Sequence, residues 1–73
     1  MAIVKVIEVI ASSKKGVDDA IQNCVKEVSK TIKNIESVYV KDIKVKVKDG
    51  KIDSYGIICN VSFTIDNKLR VDD

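Results

Sequence analysis

The sequence predicts an α+β domain of β-α-β-β order, with a three-stranded antiparallel sheet in the order first, third, second, packed on one helix. Three observations lead there. Val38 to Ile65 reads as a long β-hairpin folded about Asp49-Gly50, Val17 to Ile35 carries apolar residues at helical spacing, and Ile3 to Ala11 is rich in Val and Ile.

Ile3 to Ala11, bounded by Ser12-Ser13, is expected to be the first strand, with both of its sides largely apolar. The helix follows. Val17, Ala20, Ile21, Cys24, Val25, Val28, Ile32 and Ile35 fall three and four apart and form one stripe, with Lys26, Glu27, Lys30 and Lys33 off it. This spacing predicts a helix from about Lys15 to Lys33. Ser13 is the expected N-cap. Asp18 and Asp19 set negative charge near the positive end of the dipole, while Lys14 and Lys15 oppose it.

In the hairpin, Asp49-Gly50 suits a type I′ turn, whose two central residues both need positive φ. Strict pairing about that turn sets Val47 opposite Ile52, Val45 opposite Ser54, Ile43 opposite Gly56, Val40 opposite Cys59 and Val38 opposite Val61. The second arm alternates, with Tyr55, Ile57, Cys59, Val61, Phe63 and Ile65 on one face. In this register the first arm changes side: Val38 and Val40 share the face of Cys59 and Val61, whereas Ile43, Val45, Val47, Ile52 and Ile58 project from the opposite surface.

Right-handed crossover from the first strand through the helix makes the first two strands parallel, with the third inserted antiparallel between them. A helix of about twenty residues is roughly 30 Å long, against roughly 40 Å for each arm of the hairpin. The tip therefore outruns its cover. Its apolar residues are expected to face outward and to drive self-association.

At 73 residues the chain is expected to be one domain, 1–73, with an ordered core of about 3–66 and a frayed, charged tail after Asp66. Cys24 and Cys59 fall on apolar stripes and are expected to be buried, reduced thiols. There is no His, which removes the commonest acid–base residue and metal ligand, though carboxylates remain available to a hard cation such as calcium. Thirteen Lys and Arg against eleven Asp and Glu give a net charge of +2, too little to imply nucleic acid, and Lys41, Lys44, Lys46, Lys48 and Lys51 lack interleaved aromatics. The apolar N-terminus is broken by Lys5 and Glu8 and is too short for a membrane span or an ordinary signal peptide. A cytoplasmic protein without membrane or nucleic-acid partners is expected.

No enzymatic constellation is visible. Gly16, Gly50 and Gly56 are isolated rather than part of a phosphate loop, Ser12-Ser13 has no neighbouring base, and Asp18-Asp19 diverge by about 100° on a helix. Glu8 is the odd residue of its strand. It is expected to reach solvent or a lysine of a neighbouring subunit, or else to line a polar cavity or ligate a divalent cation.

Val6-Ile7-Glu8-Val9-Ile10-Ala11-Ser12-Ser13, followed by Gly16-Val17-Asp18-Asp19-Ala20-Ile21-Gln22, resembles the start of the dodecins. Lys30-Thr31-Ile32-Lys33-Asn34-Ile35 is similar to the end of their helix, Val47-Lys48-Asp49-Gly50-Lys51-Ile52 to their hairpin turn, and Asn60-Val61-Ser62-Phe63 to the close of their last strand. The resemblance spans about Val4 to Ile65. It implies a hollow homododecamer that stores or buffers flavin (FMN, FAD or riboflavin) without catalysing a reaction. In flavin-binding members a Trp at the start of the second strand stacks on the ring and a Gln early in the third bonds its polar edge. The matching positions here are Ser37 and Gly56, neither of which can do this. Lys44 stands where some members carry a basic residue able to meet a flavin phosphate, and Tyr39, two residues beyond Ser37, is a candidate substitute aromatic. The resemblance thus leaves two readings: a shell with weakened or lost flavin affinity, and a flavin-free structural or cation-binding shell of calcium type.

Overall fold

The computed structural model describes residues 3–65 and has the expected element order and sheet. Strand β1 spans Ile3–Ser13, helix α1 Val17–Val28, β2 Ile35–Lys48 and β3 Lys51–Ile65. The sheet order is β1-β3-β2, with β3 antiparallel to both neighbours. The tail expected to fray lies outside the described residues.

The hairpin turns where its dipeptide requires. Asp49 and Gly50 have φ of 53° and 74°, and Lys48 pairs with Lys51 across them. The register beyond is not the strict one. Val47 pairs with Ile52 as expected, but the next pair is Lys46 with Ser54, so Asp53 is an extra residue in β3. The offset then persists through Val45 with Tyr55, Lys44 with Gly56, Ile43 with Ile57 and Asp42 with Ile58. Lys41 is the compensating extra residue in β2, after which Val40 meets Cys59 and Val38 meets Val61 as expected. A third irregularity at Glu36 brings Ile35 opposite Phe63.

These bulges overturn the expectation of two apolar faces. Residues directly opposite in an antiparallel pair share a face. Val38 and Val40 therefore lie with Val61 and Cys59, and Ile43, Val45 and Val47 lie on that same face with Ile57, Tyr55 and Ile52. Of the residues expected on the opposite surface, Ile58 alone is there. One apolar stripe runs the length of the hairpin, kept in phase because each extra residue cancels a change of side.

Helix α1 packs on this face. Its Ala20 and Cys24 join Ile57, Cys59 and Val61 as the fully buried core, flanked by Ile7, Val9, Ala11, Val17, Ile21, Val28, Ile35, Val38 and Val40. At 12 residues it is about 18 Å long, against a 60 Å long axis for the molecule. The shortfall in cover is therefore larger than the sequence suggested. Ile43, Val45, Val47 and Ile52 remain between 42% and 65% exposed, on the covered face but beyond the end of the cover.

Both ends of α1 differ from expectation. Gly16, not Ser13, is the N-cap residue and makes no side-chain cap. The Ser13 hydroxyl instead organises the approach, accepting from the backbone N–H of Lys15 at 2.9 Å and of Gly16 at 3.4 Å while donating to Asp19 at 2.6 Å. At the other end the helix stops at Val28, and the Val28 carbonyl accepts from both Thr31 and Ile32. β-Branched Thr31 and Ile32 are poor helix formers. Asn34 takes a left-handed φ of 63°, and its carbonyl receives the Thr64 N–H at 3.1 Å, which pulls the chain onto the sheet. Helical spacing thus continues through Ile32 and Ile35 although neither belongs to the helix.

The bulge at Lys41 is open to direct test. Deleting Lys41 leaves Val40 and Ile43 two positions apart, so Ile43, Val45 and Val47 should stay on the face of Ile57 without a bulge, whereas deleting Lys41 and Asp42 together should throw them onto the opposite face. The far-UV circular dichroism signal should keep its cooperative thermal transition in the single deletion and lose it in the double deletion.

Candidate functional site

The face of the sheet away from α1 carries every residue singled out from the sequence as a possible ligand contact. On β3 it presents Gly56, Ile58, Asn60, Ser62 and Thr64; on β1, Val4, Val6, Glu8, Ile10 and Ser12; on β2, Ser37, Tyr39, Asp42, Lys44, Lys46 and Lys48. No described element covers it, and Val4, Val6, Ile10 and Tyr39 are between 53% and 77% exposed.

Sharing a face is not the same as touching. Lys44 stands directly across from Gly56, and Ser12 flanks Gly56 on the other side. Ser37 lies opposite Ser62, six positions along β3 from Gly56, or roughly 20 Å. That span exceeds a three-ring aromatic system, so Ser37 and Gly56 of one chain do not reach the same ring. A ligand touching both positions needs them from different copies of the chain.

Between these two places lies a cluster on Asn60. Tyr39 pairs with Asn60 from β2 and Glu8 pairs with it from β1. Lys41, the extra residue of the bulge, reaches across to Glu8 with Nζ 3.2 Å from Oε2. Within the chain, therefore, Glu8 has a lysine partner. Both side chains are more than half exposed, so the pair is worth about 0–1 kcal/mol. Asn60 and Lys41 were not singled out from the sequence. Alternation did place Asn60 on the polar side of β3, and an amide between an aromatic and a carboxylate was the available signal. Lys41 was hidden because strict pairing assigns no bulge.

The chemistry of this face is selective. Tyr39 is its only aromatic among the described residues, since Tyr55 and Phe63 belong to the α1 side. Lys44, Lys46 and Lys48 give it positive charge toward the tip. Gly56 is a gap rather than an obstruction: a Cβ there would meet only the Lys44 carbonyl at 3.5 Å and the Ala11 carbonyl at 4.0 Å, ordinary contact distances. The residues present fit a flat aromatic ligand in part, with one ring to stack on and lysines for an anionic group, but with neither a stacking group at Ser37 nor an amide at Gly56. For a cation the single chain offers less. Among the described residues no three Cys, Asp or Glu side chains converge on one point, and Glu8 already faces an ammonium group.

No helix among the described residues is long and apolar enough to cross a membrane.

The dodecin family model matches residues 3–66. Among known structures, the chain is similar to the dodecin from Streptomyces davaonensis at 28% identity and a TM-score of 0.84, over 89% of this chain and 96% of that one. It is similar to the dodecin from Streptomyces coelicolor at 25% identity and a TM-score of 0.85, over 89% and 93%. A third similarity, at 26% identity and a TM-score of 0.76 over 94% and 99%, is to the calcium-chelating immunodominant antigen of Mycobacterium tuberculosis, a calcium dodecin with a novel calcium-binding site. No curated protein matches.

The exposed ion pair makes a quantitative expectation. Glu8→Gln, measured by urea denaturation in the presence of a chelator, should change stability by less than about 1 kcal/mol. A loss of several kcal/mol would mean that Glu8 is buried against another copy of the chain.

Proposed function

Because the chain belongs to the dodecin family, we propose that it is a non-enzymatic cytoplasmic protein that assembles into a hollow homododecamer and sequesters a flat aromatic small molecule, with flavin held weakly. The observation that carries this reading is the gathering of Ser37, Tyr39, Lys44 and Gly56 on one open face of the sheet, with the Tyr39 ring 66% exposed.

Assembly follows from the uncovered tip. Ile43, Val45, Val47 and Ile52 are exposed together beyond α1, and the outer edges of β1 and β2 carry unpaired backbone groups. Removing four half-exposed aliphatic side chains from water contributes about 1 kcal/mol each, repeated at every equivalent contact of a closed oligomer. Symmetry also answers the 20 Å separation of Ser37 and Gly56, because two copies meeting through their open faces can present those positions to one ligand.

Within such a site Tyr39 would supply the stacking surface and Lys44 would meet an anionic group, with Asn60 beside Tyr39 as a hydrogen-bonding amide. A flavin so held would carry its own redox chemistry. The protein's part is to bind and shield it. The loss of two stacking faces and a hydrogen bond costs about 3 kcal/mol, or roughly a hundredfold in affinity.

A second reading is a calcium-type shell, supported by the similarity to the calcium dodecin over 94% of this chain. Calcium takes six to eight oxygens, so carboxylates from several copies would have to converge, Glu8 among them. Isothermal titration with calcium and with riboflavin separates the two readings: heat with calcium that Glu8→Gln abolishes, and none with riboflavin, would support the second.

Light scattering at micromolar concentration should give the mass of a dodecamer, and Val45→Lys should shift it toward smaller species. A monomer mass for the unaltered chain would end the assembly proposal. Riboflavin titration followed by fluorescence quenching should give a micromolar or weaker Kd. Ser37→Trp combined with Gly56→Gln should tighten it by about a hundredfold; no gain would mean that the open face has changed use.

A further inference from the structure

Cys24 on α1 and Cys59 on β3 meet inside the core. Their Sγ atoms are 3.3 Å apart although 35 positions separate the residues in sequence. Both thiols are free, and neither residue is more than 2% exposed. Packing alone does not ask for two thiols here, since Ala20, one helical turn before Cys24, fills an equivalent place in the same core with a methyl group. Forming a sulfur–sulfur bond from this separation needs a closure of about 1.3 Å, within reach of small χ1 rotations of both side chains. We propose that Cys24 and Cys59 are an oxidisable pair, and that their disulfide is a reversible staple tying the helix to the central strand.

The place of this staple matters because α1 is the only cover over the core among the described residues. It is 12 residues long, lacks a side-chain N-cap and is followed by a loop rather than by a further helical turn. A bond from Cys24 to β3 would hold it down at its middle. At rest the thiols are protected. Burial, and after it the contact with Cys24, push the Cys59 thiol up to about 11, and Cys59 also points its sulfur toward the Val9 carbonyl at 3.6 Å. Thiolate is therefore scarce in the closed core, and reaction proceeds when α1 lifts and admits a small oxidant.

The oxidant class is a diazene such as diamide. One thiolate adds to a nitrogen of the N=N bond; the second thiolate then attacks that sulfur, forming the Cys24–Cys59 bond and expelling the nitrogen. The two electrons and two protons given up by the thiols end on the diazene, which leaves as a hydrazine. A low-molecular-weight dithiol reverses the product by exchange.

The test uses the intact protein, incubated with diamide a few degrees below its thermal midpoint. Titratable thiols should fall to none, the intact mass should drop by that of two hydrogens, and proteolysis without reductant should yield one peptide joining Cys24 to Cys59 within a chain. The unfolding equilibrium constant should fall by a factor on the order of several hundred, from the entropy of closing a loop of this length, and dithiothreitol should restore it. Cys24→Ala should keep one unreactive thiol and gain no stability. Persistence of both thiols, disulfides joining different chains only, or an intrachain disulfide that lowers stability would each overturn the proposal.

Discussion

The constraint on which the rest depends is the phase of the hairpin. Two arms of 14 and 15 residues must keep one apolar stripe on one face, because among the described residues a single short helix is all there is to cover it. An uninterrupted period of two would fail, since the interval from Val40 to Ile43 is odd and would carry the first arm's apolar residues to the other side. The extra residue Lys41 in β2 absorbs that interval, and Asp53 in β3 returns the register before the turn. Core, uncovered tip and open face are all set by this pair of insertions. Where the stripe runs beneath α1 it becomes core; where it runs past α1 it becomes exposed surface on the same side.

What was legible in the sequence follows the range of the interactions involved. The turn at Asp49-Gly50 was readable because its chemistry is local, and strand order was readable because crossover handedness leaves few choices. The bulges were not, although their signature was present: the apparent change of side was itself the mark of an inserted residue. The helix end was misplaced for a related reason. Ile32 and Ile35 continue the spacing of α1, but Ile35 is held opposite Phe63 by sheet pairing, a tertiary contact that spacing cannot register. Cys24 and Cys59 were readable as buried, while their meeting at 3.3 Å depends on how α1 seats on β3.

The site was legible as a set of positions but not as an arrangement. Ser37, Tyr39, Lys44 and Gly56 do share a face, as alternation on β3 and the corrected register together require. Their separation along the strands, and the bond between Glu8 and Lys41, needed the sheet to be laid out. Lys41 joins two roles in this way. The residue that corrects the phase of the stripe through its backbone also places, through its side chain, an ammonium group beside the one carboxylate of β1.

Elsewhere the alternation of the strands keeps the two faces apart. Ser37 and Gly56 have their side-chain positions on the open face, whereas the contacts that hold the fold together, among Ala20, Cys24, Ile57, Cys59 and Val61, lie on the other. A large aromatic ring or an amide can be lost from the open face without leaving a cavity in that core, so the destabilisation that follows deletion of buried side chains does not arise. The exposed tip at Ile43, Val45, Val47 and Ile52 is likewise on the α1 side. Ligand chemistry on this fold is therefore free to change while the contacts that fold the chain stay as they are. Gly56, directly across from Lys44, is such a position on the open face, where a Cβ would meet only two backbone carbonyls at ordinary contact distance.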